Sequence, residues 1–220
     1  MIAPSILNAN NMNLGHDISV AAQSGISRFH IDIMDGHFVP NLSYGPELVK
    51  DFKKEFPKLE AEVHLMSNNL EVTLPPFVKA GADLLEFHLE ATKKPEEWLD
   101  YLHEHQVKAG LVISPDTPVQ DIKPFLNKID QLLIMSVYPG FGGQSFIEKS
   151  VNRIVQAKEL IKTAGKDIPI EVDGGIDNQT ITQAVKAGAD IYVAGSYVFK
   201  KGPIDQQIAN LNQVISSCKQ

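Results

Sequence analysis

Cysteine is almost missing from this chain of 220 residues: Cys218 stands alone, so no intrachain disulfide can form and a reducing compartment is expected. The thiol itself reads as an inert surface group. Long apolar runs are missing too. No stretch approaches the ~18 residues that a membrane-spanning helix needs, and Met1 to Leu7 has neither a basic flank nor a small-residue cleavage site, so it reads as a first strand. Net positive charge is also lacking, because 20 Lys and Arg face 27 Asp and Glu for a formal charge of −7. That balance argues against nucleic acid or an anionic membrane as partner, since a polyanion requires clustered Lys and Arg. A local loop can still hold one phosphate. No linker or low-complexity segment divides the chain, and α/β barrels run to ~200–250 residues as one unit, so residues 1–220 are expected to form a single domain in the cytoplasm.

What is present is alternation. Short apolar runs, the expected strands, fall at Ile2–Ile6, Arg28–Ile33, Ala61–Leu65, Leu84–His88, Lys108–Ile113, Gln131–Val137, Ile168–Val172 and Ile191–Ala194. Between them lie stretches with helical periodicity at Met12–Ser24, Pro46–Glu55, Leu70–Ala80, Pro95–His105, Pro118–Leu126, Ser150–Ala164, Asn178–Ala187 and Ile204–Ser217. This is the pattern of parallel strands joined by helical crossovers. Pro46, Pro95 and Pro118 suit first-turn positions, and Asp177 or Asn178 suits a cap. The segment Lys79-Ala80-Gly81-Ala82-Asp83 recurs unchanged as Lys186-Ala187-Gly188-Ala189-Asp190, each copy between a helix and an apolar run. Gly81 and Gly188 are therefore expected to be left-handed helix ends. Repeated units in an eight-fold alternation predict a (β/α)8 TIM barrel of the phosphate-binding type, with a doubly wound open sheet as the alternative.

In such a barrel the chemistry sits at the C-terminal strand ends, so polar residues that end strands are the candidates. The stretch His30-Ile31-Asp32-Ile33-Met34-Asp35-Gly36 closes the second strand, and its His30 and Asp32, two residues apart, share one face. Ser5 closes the first strand, His64 the third, and Asp173 follows the seventh. Two imidazoles and two carboxylates around one mouth form a mixed N/O set suited to one divalent ion, Zn²⁺ first, or Fe²⁺, Mn²⁺ or Co²⁺. The bland alternatives are a turn hydroxyl for Ser5, a hydrogen-bonded polar pair for His30 and Asp32, a satisfied core histidine for His64, and a turn cap for Asp173. Each is adequate singly, yet none explains their coincidence.

Glycine marks a second constellation. Gly140-Phe141-Gly142-Gly143 follows the sixth strand, Gly174-Gly175 the seventh, and Gly195-Ser196 the eighth. Consecutive backbone N–H groups in glycine loops make a concave donor nest for an anion, and barrels commonly place a substrate phosphate after strands 7 and 8. Met34 and Met66 lie two residues past Asp32 and His64, and Met135 lies in the sixth strand. Core filling is the default reading of a methionine; an apolar wall that excludes water from the reacting centre is the sharper one.

With these residues in view, the chain resembles the ribulose-phosphate 3-epimerase family through nearly its whole length. The motifs that carry the likeness are Ala3-Pro4-Ser5-Ile6-Leu7, His30 to Gly36 continuing to Phe38-Val39-Pro40-Asn41, His64-Leu65-Met66, Pro139 to Gln144, Glu171 to Gly175, and Val193-Ala194-Gly195-Ser196. The resemblance implies a metal held by His30, Asp32, His64 and Asp173, with Asp32 and Asp173 as the acid/base pair. It implies sugar-phosphate contacts from Ser5, His64, Gly140, Phe141, Gly142, Gly143, Asp173, Gly174, Gly175, Gly195 and Ser196. A homo-oligomer is also implied, and no organic cofactor. The chain departs from the commonest pattern at Asn10, at Glu62, where aspartate is usual, and at Ser114-Pro115, which replaces Asn-Pro. Glu62 is expected to orient His64 from behind. His88 matches another family position and is read as structural or supporting rather than as a ligand.

The reaction implied is inversion at C3, interconverting D-ribulose 5-phosphate and D-xylulose 5-phosphate. One carboxylate takes the proton next to the ketone, a cation stabilises the enediolate, and the other carboxylate returns a proton to the opposite face. The nearest alternative is the same chemistry on a hexulose phosphate such as D-allulose 6-phosphate. Decarboxylase or aldolase readings need a lysine among the acids. None stands there, although Lys108 is not placed by sequence alone. A non-catalytic barrel would be marked by loss of a ligand or of one carboxylate, and all four are present.

Overall fold

The structure, a computed structural model, describes residues 1–218. Eight strands, β1 (Ile2–Ala3), β2 (Arg28–Met34), β3 (Glu60–Met66), β4 (Leu84–His88), β5 (Lys108–Ile113), β6 (Gln131–Met135), β7 (Ile170–Asp173) and β8 (Ile191–Val193), pair in parallel in the order β1-β8-β7-β6-β5-β4-β3-β2. An isolated parallel bridge between Ser5 and His30 joins the ends, with the His30 N–H donating to the Pro4 carbonyl at 3.0 Å. The sheet thereby closes on itself as a (β/α)8 barrel.

Helices α1 (Leu14–Gln23), α2 (Pro46–Glu55), α3 (Leu70–Ala80), α4 (Pro95–Glu104), α5 (Lys149–Thr163), α6 (Thr180–Ala187), α7 (Ser196–Lys200) and α8 (Ile204–Cys218) accompany the strands. Alternation along each strand divides the labour. Phe29, Ile31 and Ile33 of β2 and Ala61, Val63 and Leu65 of β3 join the apolar core beneath the helices. The residues between them, His30 and Asp32 on β2 and Glu62 and His64 on β3, are buried and polar and face the barrel axis. Both predicted glycine ends are left-handed, with φ of 95° at Gly81 and 100° at Gly188, a conformation that a residue with a Cβ adopts at a cost.

Several boundaries differ from expectation for identifiable reasons. The first strand is only two residues long, because Pro4 has no N–H for a ladder and Ser5 caps a 3-10 turn at Ile6–Asn8. The expected helix at Pro118–Leu126 is a 3-10 helix over Val119–Phe125, where Pro124 removes the donor that an α-helix would use. Helix α6 starts at Thr180, two residues late, because Asp177 Oδ1 accepts from both the Gln179 and Thr180 N–H groups at 2.8 Å. Asp173 is the last residue of β7 rather than the first beyond it. Helix α7 has five residues, too few to show a helical period, and was not foreseen.

Candidate active site

Strand register assembles the site. Asp32 on β2 pairs with His64 on β3, and Met34 with Met66. On the other side Met135 of β6 pairs with Asp173 of β7, and Asp173 with Val193 of β8. Parallel strands of similar exit level therefore deliver these side chains to one mouth.

Four ligand atoms, one each from His30, Asp32, His64 and Asp173, lie within 4.8 Å of one another. His30 Nε2 is 3.2 Å from His64 Nδ1; Asp32 Oδ1 is 3.5 Å from the first and 3.3 Å from the second. Asp173 Oδ2 is 3.9 Å from His64 Nδ1. A tetrahedral ion with bonds of ~2.0–2.1 Å spaces its ligands about 3.3 Å apart, so His30, Asp32 and His64 already stand at the spacing of a divalent cation's ligands, and Asp173, at 3.9 Å from His64, stands wider. Electrostatics agree. Burial opposes charge on His30, yet the neighbouring Asp32 carboxylate outweighs it and holds the imidazole well above its usual pKa. A field that favours a proton there also favours a cation. Burial, with the charge of His30, lowers His64 to about 4 despite its Asp32 partner, which leaves its ring neutral, as a ligand must be.

The two carboxylates are driven apart. Burial would raise Asp32, but His30 and His64 hold it well below the usual carboxylate range, and the Ser5 hydroxyl donates to its Oδ2 at 2.5 Å. Asp173 is pushed up to about 7 by burial and by the charge on Asp32. One acid is thus prepared as an acceptor and the other retains a proton more readily.

A cleft above these groups is lined by Ser5, Asp32, Asp173, Met34, Met66, Met135, and Gly140, Phe141, Gly142, Gly143, Gly174, Gly175, Gly195 and Ser196. The two histidines lie beneath, fully buried. Gly174 and Gly175 pack too closely for side chains: a Cβ at Gly174 would stand 2.4 Å from Val137 and one at Gly175 2.3 Å from the Phe146 nitrogen. Asn8, which the sequence reading missed, also lines this cleft. Its amide fills the space between Gly142 and Gly195, where added Cβ atoms would approach it to 2.7 and 2.5 Å. The available signal was its spacing, since residues three apart in a 3-10 turn eclipse and Ser5 caps that turn.

Beneath the site lies a second polar layer that was also not foreseen. Glu62 orients His30, not His64: its Oε1 accepts from His30 Nδ1 at 2.8 Å. Its Oε2 accepts from Arg28 at 2.8 Å and from Gln131 at 3.1 Å. Glu86 and Glu171 complete the layer, and Gly110 makes room for Glu86, whose Cβ would be 2.4 Å from a Cβ added there. His30, Glu62, Glu86 and Glu171 also offer ligand atoms within 4.8 Å of one another, but here Arg28 already supplies positive charge and His30 presents an N–H. Burial and the charge of Glu62 push Glu86 well above its usual pKa. A raised folded-state pKa contributes stability that is full below the unfolded value and lost as pH rises. Glu86→Gln is therefore expected to gain on the native protein as pH rises past the ordinary glutamate range, by up to about 1.4 kcal/mol per pH unit, in urea melts at each pH. A pH-independent difference would overturn this.

Lys108 is the first residue of β5, exposed, and donates to Glu60 Oε1 at 2.9 Å. It stands at the end of the barrel opposite the acids, as the lysine-dependent alternatives do not allow.

The chain matches the family model for the "Ribulose-phosphate 3 epimerase family" over residues 1–199. It is 42% identical over 199 residues to a ribulose-phosphate 3-epimerase of Serratia marcescens, covering 90% of this chain and 95% of that one. With the ribulose-phosphate 3-epimerase of Escherichia coli K12 the identity is 39% over 218 residues, 97% of each chain. A 3-keto-L-gulonate-6-phosphate decarboxylase from Vibrio cholerae superposes with a TM-score of 0.73 at 15% identity, over 99% of this chain and 97% of that one, a likeness of fold alone. With the family model matched over most of its length and two relatives near 40% identity, this chain belongs to the ribulose-phosphate 3-epimerase family.

Proposed function

We propose that this chain is a metal-dependent epimerase that interconverts D-ribulose 5-phosphate and D-xylulose 5-phosphate by proton transfer at C3. The observation that carries the reading is that Asp32 and Asp173, from strands on opposite sides of the closure, meet the same nitrogen, His64 Nδ1, at 3.3 and 3.9 Å. Two carboxylates of different basicity at one centre are what inversion next to a ketone requires.

In one direction Asp32 takes the C3 proton, and the C–H electrons move into the C2–C3 bond while the carbonyl electrons move onto oxygen. Asp173 then gives its proton to C3 from the other face, the enediolate returns to a ketone, and the two acids have exchanged protonation states. The reverse reaction swaps their roles, and no organic cofactor is needed. His30, Asp32, His64 and Asp173 would hold a divalent cation, Zn²⁺ first among those the donors suit, and its positive charge would stabilise the developing oxyanion by several kcal/mol. Ser5 holds Asp32 in place. The glycine loops and Ser196 take the phosphate, which fixes the carbon that lies between the acids. Met34, Met66 and Met135, all buried, exclude water from the reacting face. A homo-oligomer is part of the proposal. Among the described residues no helix is long and apolar enough to cross a membrane.

The test is turnover in D₂O with ribulose 5-phosphate and allulose 6-phosphate offered side by side, before and after chelation and metal add-back. Deuterium at C3 of the pentulose product and metal-dependent activity are expected. Inversion without deuterium would overturn the proton-transfer scheme, and preference for the hexulose phosphate would reassign the substrate.

A further inference from the structure

His64 binds a cation through Nδ1 only if its proton sits on Nε2, and the ligand set pulls both ways, since Nδ1 faces His30 Nε2 at 3.2 Å and the acceptor Asp32 Oδ1 at 3.3 Å. The choice is made farther out. His64 Nε2 lies 2.9 Å from His88 Nε2, so of these two nitrogens one donates and one accepts. His88 Nδ1 faces Glu90 Oε2 at 3.3 Å and Ser114 Oγ at 3.2 Å. A hydroxyl can donate or accept, but a carboxylate only accepts, so Glu90 gives the chain its direction. The proton of His88 belongs on Nδ1, its Nε2 is an acceptor, and His64 must donate from Nε2.

We infer that His88, backed by Glu90, is a positioning residue that fixes His64 in the tautomer whose Nδ1 is open to the cation. The inference rests on the metal-centre reading above. The relay is built rather than incidental. His88 is fully buried, stacked on the His64 ring at 5.0 Å and tilted against Phe38 at 4.8 Å. Glu90 is pinned by the Ser114 N–H at 2.8 Å and by the Thr117 hydroxyl. Arg153 of α5 holds that loop through the Thr117 and Ser114 carbonyls at 2.6 and 2.8 Å. Ser114 and Thr117 both donate to Oε1, and only a carboxylate offers His88 Nδ1 a second acceptor in Oε2. Burial works against that charge, but His88, Thr117 and Ser114 outweigh it and bring the carboxyl to about 2.

Glu90→Gln isolates the effect. The amide can accept with only one of its two groups, and Oε1 must face the Ser114 and Thr117 donors. Its NH₂ then faces His88 Nδ1, which becomes an acceptor, so His88 carries its proton on Nε2 and donates to His64. The His64 proton is forced onto Nδ1, where it blocks the cation.

The experiment measures Zn²⁺ affinity of the full chain by competition with a chromophoric chelator, and ring tautomers of the metal-free protein by ¹⁵N NMR. The native protein is expected to show His64 as the Nε2–H form. Glu90→Gln should shift it toward Nδ1–H and weaken Zn²⁺ binding about 10–100-fold, the usual size of such outer effects. His88→Gln places an amide near the old Nε2 and can present its oxygen to His64, so it should retain most of the affinity. In that background Glu90→Gln should then have no further effect. Unchanged affinity and tautomer in Glu90→Gln would overturn the relay. Failure of the native protein to bind Zn²⁺ would instead overturn the metal centre.

Discussion

Asp173→Asn lowers kcat for epimerisation by about 10²–10⁴-fold and leaves the barrel folded. Asparagine has nearly the same shape, and it is the Asp173 backbone carbonyl that ties β7 to the Ser136 N–H and hydroxyl at 2.8 and 2.9 Å. The loss follows from geometry rather than from binding, because Asp32 and its Ser5 partner are untouched on the other side. Asp32 still removes the proton that faces it, exchanges it with solvent and returns deuterium to the same face. One epimer, the one whose C3 proton faces Asp32, should therefore take up deuterium at C3 in D₂O without inverting. Asp32→Asn should do the reverse, labelling the other epimer only. Both residues are also assigned to the cation, so Zn²⁺ content is measured on each variant and kcat compared at full occupancy. Near-normal turnover in either variant, or label entering both epimers in one of them, would overturn the two-acid scheme.

Much of this centre is legible in the sequence because parallel strands translate chain position into place. Asp32 and His64 sit at corresponding positions near the ends of neighbouring strands, and the register pairs them directly. The repeated Lys-Ala-Gly-Ala-Asp segment marks helix ends at Gly81 and Gly188, and both are left-handed. What stays hidden is whatever depends on distance across the barrel. Glu62 stands two residues before His64 and was expected to orient it, yet the β2–β3 register sets it beside His30, which its carboxylate meets at 2.8 Å. Glu86 and Glu171 lie inside apolar runs, where a lone acid reads as a solvent-facing residue. Only the closed barrel turns them inward, and only the missing side chain at Gly110 leaves space for Glu86. The partner of Arg28 in β6, Gln131, is 103 positions away. No local pattern announces such a contact.

That hidden layer yields the largest expected effect on stability. Arg28 is almost fully buried, with Nε on Glu60 at 2.9 Å and Nη1 on Glu62 at 2.8 Å and on Gln131 at 2.7 Å. Burial penalises its charge, but Glu62 and Glu60 more than compensate and raise the guanidinium above its usual pKa. Arg28→Met keeps much of the apolar stem and removes the charge, leaving Glu62 among Glu86 and Glu171 with only His30 as counter-charge. Breaking a buried pair in this way costs about 3–5 kcal/mol, which for a chain of this size is a Tm lower by roughly 6–20 °C. Melts are run in chelator, since a bound ion would stabilise the native state by mass action. Glu62→Gln added to Arg28→Met removes the stranded charge and should recover part of the loss, a coupling that a double-mutant cycle isolates. Such recovery separates an electrostatic cost from a packing defect, for a cavity left by the guanidinium would persist in the double variant. A loss below about 1 kcal/mol, the range of an exposed pair, would mean that Arg28 does not neutralise this layer. The acids would then have to share protons instead, and the support beneath His30 would be a protonated network rather than an ion pair.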